Sequence, residues 1–146
     1  MQRNTLFLGI VMLFASCNSA TDTNTEATDS AITQSEIGQA AAVQSVGSHI
    51  AKSLLAQQPE IIVLDVRTPE EFEAGHLEKA QLLNIYDQSF EQRLQELDKT
   101  KTYLVYCAVG GRSNQAVQAM NKMGFNKVYD ATEGFMALKS AGVPVK

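Results

Sequence analysis

Apolar positions change their spacing repeatedly along this chain, and each change marks an element. Between 45 and 58, Val46, Ile50, Leu54 and Leu55 recur at helical intervals, which predicts a helix with Ser45 as N-cap and Pro59 as its stop. The continuous aliphatic run "EIIVLDV" at 60–66 has strand length and the pattern of a strand buried on both faces. "TPEEF" at 68–72 then opens a short helix, with Thr68 as cap, Pro69 in the first position and acids in the first turn. Further strands are predicted at 80–86, 101–107 and 127–131, and further helices at 89–97, 113–125 and 133–142. Met120, Met123 and Met136 sit at helical spacings and read as core. Strands alternating with helices at these intervals predict an α/β domain, with a mostly parallel central sheet flanked by helices on both faces.

The N-terminal pattern is different. A start with one basic residue, Arg3, leads into an apolar block at 6–14 and then small residues, the build of an export leader. Nine residues of helix fall well short of the roughly 20 that cross a bilayer. The stretch "FASC" resembles a bacterial lipoprotein cleavage box, which implies a signal peptide over 1–16 and lipid attached to Cys17. From 18 to 42 the chain is rich in Ser, Thr and Ala, lacks Lys and Arg, and carries Asp22, Glu26, Asp29 and Glu36. Such a stretch buries too little to offset its own ordering. Residues 17–43 are therefore expected to be a lipidated tether spanning roughly 25 to 30 Å, and 44–146 the folded domain. The lipoprotein resemblance thus implies a place in the bacterial cell envelope, at the outer or inner membrane, held by the lipid on the periplasmic side.

Charge narrows the partners. The chain carries a formal net charge of −4, and residues 44–146 hold 11 basic against 12 acidic residues, so the acidity belongs to the tether. A nucleic-acid partner is not expected, because no basic stripe is present. The chain has two cysteines. With Cys17 lipidated, Cys107 has no partner in its own chain, and an unpaired thiol in an exported protein is a candidate for chemistry.

The residues after Cys107 strengthen that candidacy. "TYLVY" at 102–106 delivers the chain into "CAVGGRS" at 107–113, and a helix is predicted to begin near Ser113. Adjacent glycines, Gly110 and Gly111, permit backbone angles closed to other residues, so several N–H groups can converge on one centre. The start of the helix points its positive end at the same place. Ala108, Val109, Gly110, Gly111, Arg112 and Ser113 thus form a candidate anion-binding loop with the Cys107 sulfur at its base, where a thiolate is favoured. Arg112 is expected to bind loop carbonyls or substrate oxygens.

The motifs "LDVRTPEEFEAGHL" at 64–77, "YCAVGGRS" at 106–113 and "GVPV" at 142–145 together resemble a single rhodanese domain, a sulfurtransferase module. The resemblance covers about 45–146. It implies that Cys107 takes the outer sulfur of a small donor, thiosulfate or a persulfide, becomes a persulfide, and hands the sulfur to cyanide, a small thiol or a protein thiol, without metal or organic cofactor. The loop amides would stabilise the transferred sulfur. Cys107 to Arg112 spans six residues, one fewer than the loops of related cysteine phosphatases and arsenate reductases, which favours sulfur over phosphate. Ala108, Val109 and Glu71 bring few cations to the mouth, so thiosulfate would meet little side-chain charge.

Asp65 and Arg67 end a strand on the same side; the resemblance implies that they shape the site, and an ion pair of Arg67 with Glu71 is the structural alternative. His76 reads as part of a turn. A non-catalytic rhodanese-like module, binding a partner or sensing oxidation, is the alternative function.

Overall fold

The computed structural model of the protein describes residues 42–146. The expected leader, Cys17 and the expected tether as far as residue 41 lie outside the described residues.

Five short strands form the centre: β1 (Val43–Val46), β2 (Ile62–Asp65), β3 (Ala80–Leu82), β4 (Thr102–Tyr106) and β5 (Lys127–Ala131). They assemble in the order β1-β5-β4-β2-β3, with every pair parallel. In register, Val63 of β2 faces Leu104 of β4, and Leu104 faces Tyr129 of β5. Side chains alternate across a strand, and β4 divides its residues accordingly. Tyr103 and Val105 join one core cluster, while Leu104 and Tyr106 join another on the opposite face.

The helices cover both faces. Phe90 and Leu94 of α3 (Phe90–Gln95) and Ala116, Val117 and Met120 of α4 (Gly111–Lys122) pack into the first cluster. Ala51 of α1 (Ser48–Gln57) and Leu138 of α5 (Gly134–Ser140) pack into the second. The short α2 (Pro69–Glu73) follows β2 and is fixed by a capping box, in which Thr68 and Glu71 each bond the other's backbone N–H. The chain end returns along 76–78, where Leu77 bridges Val145 and His76 exchanges backbone hydrogen bonds with Lys146. The His76 ring stacks on Phe72 at 3.7 Å, and its Nδ1 lies 2.9 Å from the Phe72 carbonyl, a role within the turn.

Four expectations need correction. Residues 43–46 form a parallel edge strand on β5, so Val43 belongs to the sheet, and the helix begins only at Ser48 after Gly47. The strand expected at 80–86 is regular only over Ala80–Leu82, beyond which Leu83 and Ile85 still donate to the Asp65 and Val66 carbonyls, and Tyr86 stands 68% exposed. Met136 is 64% exposed and is not core. Finally, α4 starts at Gly111, two residues before Ser113, so Arg112 and Ser113 occupy its first turn.

Candidate active site

Cys107 immediately follows β4, on the side of the sheet where all five parallel strands end. It is completely buried. The chain turns sharply after it because Gly110 adopts φ +91°, the left-handed region that glycine enters without a Cβ penalty. That turn aims the Gly110 N–H at the Cys107 sulfur, with N to Sγ 3.1 Å. Gly111 has no such requirement; it is simply the first residue of α4.

The electrostatics oppose one another and leave a net sign. Burial disfavours the Cys107 thiolate, but hydrogen bonding from the loop, the N–H groups of Ser113, Val109 and Gly110 foremost, outweighs it and lowers the thiol pKa. This is the balance expected where converging amides at a helix start meet a sulfur.

The loop is clamped from behind. Phe135 donates its N–H to the Cys107 carbonyl at 2.8 Å. A Cβ on Gly110 would fall onto the Thr132 carbonyl, and one on Gly134 onto the Ala108 carbonyl, so the two loops pack backbone against backbone. Ser113, buried in the first turn of α4, donates its hydroxyl to Asp130 Oδ1 at 2.7 Å and lies 3.0 Å from the Gly110 carbonyl oxygen. Asn114 reaches the second Asp130 oxygen at 3.5 Å. Burial pushes the Asp130 carboxyl up, against the hydrogen bonds from Ser113 and Asn114.

Arg112 does not bind loop carbonyls. Its Nη1 and Nη2 donate to Glu71 Oε2 and Oε1 at 2.6 and 2.7 Å, and its guanidinium lies 5.9 Å from the Tyr86 ring centroid. Glu71 is therefore the partner of Arg112 and not of Arg67. Arg67 binds Asp65 instead: Nε and Nη2 reach the carboxylate at 2.6 to 3.0 Å, and Nη2 also reaches the Gly75 carbonyl at 2.8 Å. Both members of that pair are buried, and the Arg67 guanidinium lies 4.2 Å from the Phe135 ring centroid. Burial opposes the Arg67 charge, and Asp65 outweighs it, raising the pKa. The pair braces β2, the turn at Gly75 and α5; its hydrogen bonds do not extend to Cys107.

The Arg112 hydrogen bonds hold the Glu71 carboxyl down at about 2, against an ordinary 4.5. A carboxyl whose folded pKa is depressed stabilises the fold above its unfolded value and loses that contribution as pH falls toward the folded one. Because Glu71 is partly exposed, the contribution is expected to be about 1 kcal/mol or less. Melting temperatures of wild type and Glu71→Gln should accordingly differ most above pH 4.5 and converge as pH approaches about 2.

Several residues of this site escaped the sequence reading. Asp130 lies near the carboxyl end of β5 and Gly134 opens α5, and an acid within the strand "KVYDA" is the available signal for the first. Tyr106, whose hydroxyl accepts the Leu77 N–H at 3.2 Å, read only as part of an apolar run. Groups of His, Cys, Asp and Glu able to hold a metal ion are absent among the described residues.

Residues 49–141 match the family described as the Rhodanese-like domain. Over 103 residues the chain is 27% identical to a sulfurtransferase of Allochromatium vinosum, covering 70% of this chain and 94% of that one. It is 30% identical over 93 residues to a thiosulfate sulfurtransferase of Coxiella burnetii, covering 64% and 85%. Among solved structures, the rhodanese-like domain of an Anabaena protein superposes with a TM-score of 0.63 at 29% identity, covering 70% of this chain and 77% of that one. A rhodanese-related protein of Thermoplasma volcanium gives 0.61 at 28%, covering 70% and 97%.

Proposed function

Because the chain belongs to the Rhodanese-like domain family, we propose that it is a sulfurtransferase that carries a sulfane sulfur on Cys107. The observation that carries this reading is the 3.1 Å approach of the Gly110 N–H to a Cys107 sulfur whose pKa the surrounding loop lowers. In the first step the thiolate attacks the outer sulfur of the donor. A Cys107 S–S bond forms, the donor S–S bond breaks, and its electron pair leaves with sulfite or a thiolate. In the second step a nucleophilic acceptor, cyanide or a thiol, attacks the outer sulfur of the Cys107 persulfide and returns the thiolate. Two covalent steps replace one difficult transfer, and the inward-facing N–H groups stabilise the negative sulfur at each stage. The reading requires no cofactor. On the strength of the "FASC" stretch, it extends to a Cys17 lipid that holds the domain at the periplasmic face of a membrane.

A second reading, a non-catalytic binding or oxidation-sensing module, draws on the complete burial of Cys107. Intact mass after incubation with sulfane donors separates the two. The enzyme reading expects a gain of one sulfur atom that cyanide or a thiol removes again. A reduced, native domain that takes up no sulfur from any donor would favour the module.

A further inference from the structure

We propose that Glu71 is a specificity-determining residue of the Cys107 site, selecting organic persulfides over the thiosulfate dianion. The inference rests on the sulfurtransferase reading above and names the donor class for that site.

The positive charge around the site is already paired. Arg112 is the cation that the loop itself carries, and both of its terminal nitrogens are occupied by the two Glu71 oxygens. Glu71 is held in place from its other side as well, because the Thr68 N–H donates to Oε2 at 3.1 Å and Thr68 in turn caps the Glu71 N–H. The Arg67 guanidinium is committed to Asp65 and the Gly75 carbonyl. Two guanidiniums thus stand near the carboxyl ends of β2 and β4, and each is matched by a carboxylate. What remains to attract an anion is the start of α4 and its amides, whose field the Cys107 thiolate already engages.

The exposed surface beside this pair is apolar. Val109, at the apex of the loop, is 82% exposed, and the exposed Tyr86 ring lies by the Arg112 guanidinium. A dianion approaching Cys107 therefore meets an Arg112 guanidinium already neutralised by Glu71, at a rim that offers apolar contact instead of hydration. An organic persulfide brings at most one negative charge at its sulfur end, against two on thiosulfate, and its organic group finds Val109 and Tyr86.

The chemistry balances for that donor. The Cys107 thiolate attacks the terminal sulfur of R–S–SH, the R–S bond to that sulfur breaks, and R–S⁻ departs with the electron pair. The product is Cys107–S–SH, with the proton retained on the transferred sulfur. No outside oxidant or reductant is needed.

Glu71→Gln is the informative variant, because glutamine also serves at the third helical position of a capping box and can still accept from Arg112 through one oxygen. It removes the charge and spares the helix. Steady-state kinetics with cysteine persulfide and with thiosulfate should show that the wild type prefers the persulfide in kcat/KM. In Glu71→Gln that preference should collapse about tenfold, carried by a lower KM for thiosulfate and not by kcat, since a fixed charge acts on a dianion's approach. A melting temperature above the assay range confirms that the variant is folded, and Glu71→Ala, which frees Arg112 altogether, should move KM the same way. An unaltered preference, or a raised thiosulfate KM, would overturn the assignment while leaving the sulfurtransferase reading intact. A wild type that gains no sulfur from either donor would overturn that reading too.

Discussion

Cys107→Ser is expected to reduce sulfur loading to background, a loss of about 10³-fold or more, while leaving the domain folded. The two halves of this expectation have different physical origins. Serine is close to cysteine in size, so the buried position after β4 is refilled and the Gly110 N–H keeps an acceptor. A hydroxyl, however, does not ionise in the range where a lowered thiol does, and oxygen does not form the persulfide that stores the sulfur. The measurement is intact mass after incubation with a sulfane donor, with a thermal melt as the control on folding. Uptake by the serine variant at the wild-type rate would move the chemistry away from Cys107.

The same sulfur should report its surroundings by its pH dependence. Burial raises its pKa, and the Ser113, Val109 and Gly110 N–H groups more than compensate, so alkylation of Cys107 should reach half its limiting rate below the pH typical of a free thiol. The compensation is assembled chiefly by backbone geometry. Arg112, the cation nearest in sequence, gives its hydrogen bonds to Glu71 and acts on the sulfur only through its charge.

How much of this could be read from the chain depends on how far apart the interacting residues lie. β4, the loop and α4 are contiguous, and their signals are local: an aliphatic run, a cysteine, glycines and a helical period. β1 was hidden because Val46, Ile50 and Leu54 continue a helical series across Gly47. What makes 43–46 a strand is the ladder offered by β5, with Val43 opposite Val128 and Val46 opposite Ala131, and no local pattern announces that ladder. The Arg112–Glu71 pair was equally hidden, since it joins residues 41 positions apart. Met136 kept its helical spacing but faces outward, because α5 is too short for spacing alone to fix which side packs.

Gly110 and Gly111 test the finest of these distinctions. As a sequence they are a pair, and both count toward a flexible loop; in the structure they have unrelated jobs. Gly110→Ala is expected to destabilise the domain by about 2 to 4 kcal/mol, because φ +91° is strained for alanine and the new methyl would fall on the Thr132 carbonyl, backbone that cannot swing aside. The damage should extend to chemistry. Relief of the clash must move the Gly110 N–H off the Cys107 sulfur, so the alkylation profile should shift upward in pH and sulfur loading should slow along with it. Gly111→Ala is expected to do the opposite, leaving loading near wild type and adding up to about 1 kcal/mol of stability, since alanine costs less than glycine in a helix. Its Cβ would find open space in the first position of α4. Denaturant melts and alkylation profiles of the two variants side by side decide the matter. Equal damage from both would mean that the loop needs freedom at two residues, and that α4 does not begin where the hydrogen bond from the Asn114 N–H to the Gly110 carbonyl closes its first turn.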